Sequence, residues 1–101
     1  MTPVAARRAP VTVRTEPGAV VLELAELLDA PVGAALLAAA EAALATEPER
    51  VDIDLTALQS WTQEGAAALV RCREVCSDLP DGLHYRTGRG PGRAALLAAY
   101  S

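Results

Sequence analysis

Apolar and polar residues alternate in three short segments of the chain, which is the pattern of half-buried β-strands. These segments cover residues 11–14, 19–24 and 51–55. A Glu-Pro-Gly sequence at residues 16–18 separates the first two. It suits a type II turn, because Pro favours the second position and Gly accepts the positive φ of the third. The first two segments therefore predict a β-hairpin, and the third predicts a further strand.

The apolar period changes to that of an amphipathic helix in three other segments. The spacing predicts helices over residues 32–46, 63–78 and 93–100. Asp29 is a candidate cap for the first helix, because it lies just before Pro31, a residue that suits the first helical position. Helices are therefore predicted between and after the strands.

The order of the elements indicates the fold class. A fourth strand is predicted over residues 83–87, and helices that alternate with strands favour parallel crossover units. The 101 residues suit one domain. We expect residues 1–10 to be a loose leader, because they have no apolar period, and residues 11–101 to be the domain. The predicted fold is therefore α/β, a single domain with a mixed four-stranded sheet and about three helices packed against it.

Composition narrows the classes of partner. The net charge is −4, and this acidic balance argues against nucleic acid as a partner. The longest strongly apolar stretch, residues 32–45, contains Glu41 and is shorter than the roughly 20 residues that span a bilayer. We therefore expect no membrane span. The N-terminus shows no secretory signal, so we expect a cytoplasmic protein whose two cysteines remain thiols.

Side chains for catalysis or metal binding are scarce. His84 is the only histidine and has no His or Cys neighbour at ligand spacing. Asp52 and Asp54 share one face of a strand and could form a carboxylate pair. An outward strand face, with Asp54 capping the turn before Thr56, accounts for them without chemistry. The sequence therefore predicts no enzyme, no metal and no cofactor.

Two cysteines raise a separate redox or metal hypothesis. Cys72 and Cys76 are four residues apart, so they are neighbours on one helix surface. They do not form a Cys-x-x-Cys motif, and they share an apolar stripe with Leu69 and Leu79. We therefore expect both thiols to be reduced, mostly buried and packed as small apolar side chains.

The segment before the second predicted helix offers candidate binding residues. Ser60 with Gln63 fits a capping box, and Thr62 is an alternative cap. Glu64 is favoured by the positive end of the helix dipole. Trp61, the only tryptophan, is expected in a loop, either as a lid on the core or as an exposed anchor for a partner.

The run from Asp52 to Val70 resembles the central signature of STAS domains, the family of sulfate transporter and anti-sigma factor antagonist modules. In that family an apolar strand ends in Asp-Leu, and after a short loop Asp-Ser-Ser-Gly opens a helix. Here Asp54-Leu55 and Gly65 stand at the corresponding positions with no gap. Upstream, the Glu-Leu-Leu-Asp sequence at residues 26–29 and the Ala-rich segment after it are also similar to the family. The resemblance covers residues 11–100 and implies a STAS-like fold.

One departure from the family concerns its switch. In the antagonists, a partner anti-sigma kinase phosphorylates a serine at the start of this helix, and the phosphate breaks the complex. Aligned on Gly65, that position is Gln63, which cannot accept phosphate. Thr62 and Ser60 are the nearby hydroxyls and so the remaining candidates for phosphorylation.

A second departure concerns length. STAS members commonly add a strand and a helix after the segment that resembles residues 93–100. The module is therefore either a minimal version, or it pairs with another chain, as in a homodimer, across an open sheet edge.

The resemblance implies a function as well as a fold. It implies a non-catalytic module of bacterial transcription regulation, which works by partner switching with an anti-sigma factor or a kinase-like regulator. The alternative is a structural or docking subunit of a larger assembly that shares only the fold. A small enzyme or thiol-redox protein is a third hypothesis, which the isolated histidine and the apolar setting of the cysteines disfavour. The expected partner-binding residues are Asp29, Ser60, Trp61, Thr62, Gln63 and Glu64.

Overall fold

The computed structural model describes residues 9–101, so most of the predicted leader, residues 1–8, lies outside the described residues. The described chain forms six strands and three helices. In chain order these are β1 (Val11–Glu16), β2 (Ala19–Leu24), β3 (Leu27–Leu28), α1 (Ala30–Leu44), β4 (Arg50–Asp54), β5 (Ser60–Trp61), α2 (Gln63–Val75), β6 (Gly82–Arg86) and α3 (Pro91–Ala99).

The main sheet has four strands in the order β1-β2-β4-β6. β1 and β2 are antiparallel, whereas β2 with β4 and β4 with β6 are parallel. Gly18 in the hairpin turn has a φ of 77°, which glycine adopts without the steric cost that a Cβ brings. The predicted mixed four-stranded sheet with three helices is therefore confirmed.

Two very short strands were not predicted. β3 and β5 pair in parallel, with Leu27 opposite Ser60 and Leu28 opposite Trp61. The prediction that Trp61 lies in a loop is therefore wrong. A strand of two residues is too short to show the alternation that identifies strands in a sequence.

The helix ends also differ from the prediction. α2 ends at Val75 rather than residue 78, because the hydrogen bonds that follow are those of tight turns. The Ser77 N–H donates to the Glu74 carbonyl at 3.3 Å, and the Leu79 N–H donates to the Cys76 carbonyl at 3.1 Å. Apolar residues continue past that end, since Cys76 and Leu79 still pack on the core. α3 begins at Pro91 rather than residue 93. α1, the longest helix, has 15 residues, and no helix of residues 9–101 is long and apolar enough to cross a membrane.

The helices cover one face of the main sheet and share a core with it. Leu22, Ile53 and Leu83 face this layer from three neighbouring strands. Leu36, Leu69 and Ala95 meet them from the three helices, and Cys72 and Cys76 belong to the same cluster. The core is thus built from short aliphatic side chains and two thiols.

The opposite face of the sheet is closed by charged side chains. Asp52 is only 3% exposed and accepts hydrogen bonds from Arg86 at 2.7 Å and Arg50 at 3.1 Å. Beneath the charges Val21 is fully buried. Asp52 thus lies on the outward strand face that the sequence indicated, where the two guanidinium groups cover it. Ion pairs connect six charged side chains of this face into one continuous network: Arg50, Asp52, Arg86, Glu16, Arg14 and Glu23.

The predicted role of Asp54 is confirmed. Its Oδ1 accepts from the Thr56 N–H at 2.9 Å and from the Thr56 hydroxyl at 2.6 Å. This turn directs the chain out of β4.

The starts of α1 and α2 approach each other through glycines. A Cβ on Gly65 would lie 2.3 Å from the Leu28 carbonyl oxygen, and a Cβ on Gly33 would lie 3.0 Å from the Ala68 Cβ. Neither position leaves room for a larger side chain without moving a backbone or a helix. These glycines therefore set the distance between the two helices.

The variant Gly65→Ala tests this contact. An ordinary Gly→Ala change within a helix stabilises a protein by roughly 0.5–1 kcal/mol. Here the new methyl group meets the Leu28 carbonyl, so we expect the free energy of unfolding to fall by about 1–3 kcal/mol. Denaturant unfolding measures the change, and Gln63→Ala, at an exposed position of the same first turn, is the control, with a change within about 0.5 kcal/mol. A Gly65→Ala protein more stable than the parent would contradict the contact.

Candidate functional site

The pairing of β3 with β5 places two chain junctions side by side. The Thr62 N–H donates to the Leu28 carbonyl at 2.9 Å, and the Gln59 and Ser60 N–H groups donate to the Glu26 carbonyl at 2.8 and 3.0 Å. Each strand leads directly into a helix, β3 into α1 and β5 into α2. The N-terminal ends of both helices are therefore held next to one another.

Each of these helix starts is capped by a side chain. Asp29 Oδ1 accepts from the Val32 N–H, and Thr62 Oγ1 accepts from the Gly65 N–H, both at 3.1 Å. The predicted cap at Asp29 is confirmed. Of the two caps considered for α2, the structure uses Thr62, because Ser60 belongs to β5. The first N–H groups of a helix have no partner within the helix, and each cap provides one of them with an acceptor. The caps thereby fix where each helix begins.

The structure brings the six sequence-predicted binding residues to one surface. Ser60, Thr62, Gln63 and Glu64 are exposed, whereas Asp29 is half-buried. Trp61 is also half-buried and packs against the core, so it is a partial lid with one part left accessible. We call this set the cap surface; its members are Asp29, Ser60, Trp61, Thr62, Gln63 and Glu64.

The cap surface is acidic and has an apolar neighbour. Glu64 lies in the first turn of α2, where the helix dipole favours a negative charge. Glu26, immediately before β3, is exposed, and Leu27 remains 42% exposed. Carboxylates beside an accessible apolar side chain are groups that can contact another protein.

A groove between α1 and α2 continues the cap surface and was missed in the sequence. Its volume is about 450 Å³. Ala30, Ala34 and Ala38 line one side, four residues apart on α1, while Ala67 and Glu64 lie on α2. The four-residue spacing of these alanines is visible in the sequence. Alanine is so common in the chain, however, that this spacing does not identify a groove. The remaining lining residues are Gly33, Leu37, Glu41, Ala68 and Arg71.

Among residues 9–101, no group of three or more His, Cys, Asp and Glu side chains is placed to hold a metal ion. His84 lies exposed on β6, with Nε2 2.9 Å from the Asp81 carbonyl oxygen. It therefore belongs to a different part of the molecule from the cap surface.

The two cysteines are buried free thiols, and the predicted burial is confirmed. Burial raises the pKa of Cys72 to about 12, with smaller contributions from Cys76 and Glu41. Burial also raises the pKa of Cys76. Because the thiolate is the reactive form of cysteine, both side chains are held in their unreactive form.

Comparison with known proteins bears on the fold. No protein-family model and no curated protein matches the chain. Its structure is similar to an anti-sigma factor antagonist from Mycobacterium paratuberculosis, with a TM-score of 0.71 and 23% identity over 89% of this chain and 77% of that one. It is also similar to part of a protein named Mglu, with a TM-score of 0.70 and 17% identity. That match covers 81% of this chain but only 21% of Mglu. The chain has a STAS-like fold, as the sequence resemblance predicted.

Thiol labelling tests the state of the cysteines. At pH 8 we expect a thiol reagent to label Cys72 and Cys76 slowly in the native protein and rapidly after denaturant is added, because the raised pKa of each keeps the thiol protonated. Rapid labelling of both thiols without denaturant, or binding of one zinc ion per chain, would restore the redox or metal hypothesis.

The same pKa shift predicts how stability depends on pH. The unfolded Cys72 releases its proton near its ordinary pKa of 9.0, whereas the folded one keeps it until about 12. The contribution of Cys72 to stability is therefore fully present below pH 9 and is lost as the pH rises towards 12.

Proposed function

We propose that this chain is a non-catalytic regulatory module that binds a partner protein through the cap surface, in the manner of an anti-sigma factor antagonist. The partner is an anti-sigma factor or a kinase-like regulator in the cytoplasm. The proposal rests on one observation: the β3–β5 pair holds two capped helix starts next to one another. The fold in which this occurs is similar to that of an anti-sigma factor antagonist.

The geometry of the cap surface suits protein binding. Gln63 and Glu64 are exposed on the first turn of a helix whose start is fixed by the Thr62 cap. A site that is already rigid loses little conformational entropy when a partner binds. The acidic side chains attract a basic partner surface and favour its correct orientation.

The composition of this helix start supports a module without the usual phosphoserine switch. Gln63 offers a neutral amide where the antagonists have their phosphoacceptor serine. Glu64 supplies a fixed negative charge at the same helix end. A phosphate would instead add about −1.5 to −2 charges on demand. The module is therefore held in one binding state.

The alternative function, a structural or docking subunit of a larger assembly, has one observation in its favour. The similar part of Mglu is about a fifth of that protein, so the same fold also occurs as a piece of a much longer chain. The identity of the bound partner separates the two functions. A kinase-like or sigma-regulating partner supports the first, and a structural or biosynthetic assembly supports the second.

A matched pair of charge reversals tests the cap surface. The partner is first captured from the source cell with the full chain and purified. Binding is then measured for Glu64→Arg and for Glu74→Arg, which makes the same change at the other, exposed end of α2. We expect Glu64→Arg to weaken binding about tenfold or more, because it reverses a charge within the interface. Glu74→Arg should bind within about twofold of the parent.

Two results of this comparison would count against the proposal. If both variants bind the partner as tightly as the parent does, the first turn of α2 lies outside the interface. A loss with Glu74→Arg alone would place the partner at the opposite end of the helix. Circular dichroism of each variant verifies that it is folded.

Intact-mass measurement tests the fixed state. After incubation with ATP and a kinase partner, we expect the parent chain to gain no phosphate, because Gln63 has no hydroxyl. Gln63→Ser should gain one phosphate at position 63. A full phosphate on the parent chain, mapped to Thr62 or Ser60, would overturn the fixed-state proposal and leave the binding proposal standing.

A further inference from the structure

The outer edge of β6 presents backbone groups that point away from the sheet. β6 is the last strand of the four-stranded sheet, with β4 on its inner side and no strand of residues 9–101 on its outer side. The Arg86 carbonyl accepts from the Leu55 N–H at 2.8 Å. The backbone N–H and C=O of Arg86 therefore point inward, towards β4. Because successive residues of a strand direct their backbone groups to opposite sides, Leu83 and Tyr85 direct theirs outward.

A groove and one exposed aromatic side chain lie beside this edge. The groove has a volume of about 480 Å³ and runs between β6 and two other residues, Arg73 on α2 and Ser77 just after that helix. Tyr100, directly after α3, is 50% exposed. The Tyr100 hydroxyl lies 3.1 Å from that of Tyr85, which places Tyr100 beside the same edge. A strand edge without a partner, next to an exposed aromatic side chain, is a surface suited to strand addition.

We propose that β6 pairs with β6 of a second copy of this chain, antiparallel and about a two-fold axis at His84. In this register Leu83 of one copy lies opposite Tyr85 of the other, and each such pair exchanges two backbone hydrogen bonds. His84 then faces His84 of the second copy as a pair without backbone hydrogen bonds, the closer of the two kinds of cross-strand pair. The two four-stranded sheets become one continuous sheet. This inference does not depend on the proposed function, because it concerns a different surface.

The charges at the ends of β6 favour a second copy in antiparallel orientation. The segment before β6 is acidic, with exposed Asp78 and Asp81, and the loop after it carries the exposed Arg89. Antiparallel pairing brings the acidic end of each copy to the basic end of the other. Parallel pairing would bring acid to acid and base to base. The strand is therefore complementary to itself in charge as well as in hydrogen bonding.

Charge variants at His84 test the axis directly. His84 is exposed, so substitutions there leave the core intact. Sedimentation equilibrium at neutral pH should show a concentration-dependent dimer for the parent chain and for the neutral control His84→Gln. His84→Glu and His84→Arg should each dimerise about tenfold more weakly or worse, because like charges then stand directly opposite one another. An equimolar mixture of these two variants should recover dimerisation, since opposite charges now meet at the axis.

Hydrogen exchange provides a second readout on the unaltered chain. The Leu83 and Tyr85 amides should exchange more slowly as protein concentration rises, while the exchange of the inward-facing His84 amide changes less. A parent chain that stays monomeric at millimolar concentration would overturn the proposal. So would a dimer that all three variants preserve, which would use another surface such as the β1 edge. The proposal would also be overturned if the two mixed variants form no heterodimer, because the two-fold axis then does not lie at His84.

Discussion

The contact between Gly65 and the Leu28 carbonyl is the constraint on which the candidate site depends. A Cβ at position 65 would come within 2.3 Å of that oxygen, so only glycine lets α2 begin this close to the end of β3. The Thr62 N–H bonds to the same carbonyl at 2.9 Å. Together these contacts hold α2 against the start of α1 and create the cap surface. The hydrogen bond needs only backbone atoms, whereas the close approach needs one particular residue.

The two faces of the main sheet are closed by different means. On one face three helices bury a thin aliphatic core. On the other, charged side chains cover Val21, and Asp52 is held between Arg50 and Arg86. Asp52 keeps its hydrogen bonds although it is buried, which offsets the cost of removing its charge from water. The helix-covered side carries the cap surface, and no strand of residues 9–101 pairs with the outer edge of β6.

The fold could be predicted where the sequence repeats a period. Strands of five or six residues and helices of nine or more show their alternation or their apolar stripe, and the main sheet followed from them. β3 and β5, with two residues each, show no period. The burial of Asp52 depends on Arg86, a partner 34 residues away, and no local pattern indicates such a pair. The observed end of α2 differs from the predicted one, because apolar residues such as Leu79 continue to pack on the core after the helix has ended.

The candidate site was predicted in part, and for a specific reason. The resemblance led us to expect residues 60–64 and Asp29 to bind a partner, but only the structure shows the β3–β5 pair that brings them together. The choice of Thr62 over Ser60 as cap could not be made from spacing, because both fit a capping pattern. The alanine groove beside Glu64 was hidden because alanine occurs throughout the chain.

Amide hydrogen exchange with and without the purified partner tests the central claim most directly. The account predicts that bound partner slows exchange at residues 26–29 and 60–65, the two segments that the Gly65 contact holds together. It also predicts little change in the four strands of the main sheet. Slowed exchange confined to those strands or to α3, with both segments unaffected, would contradict the account.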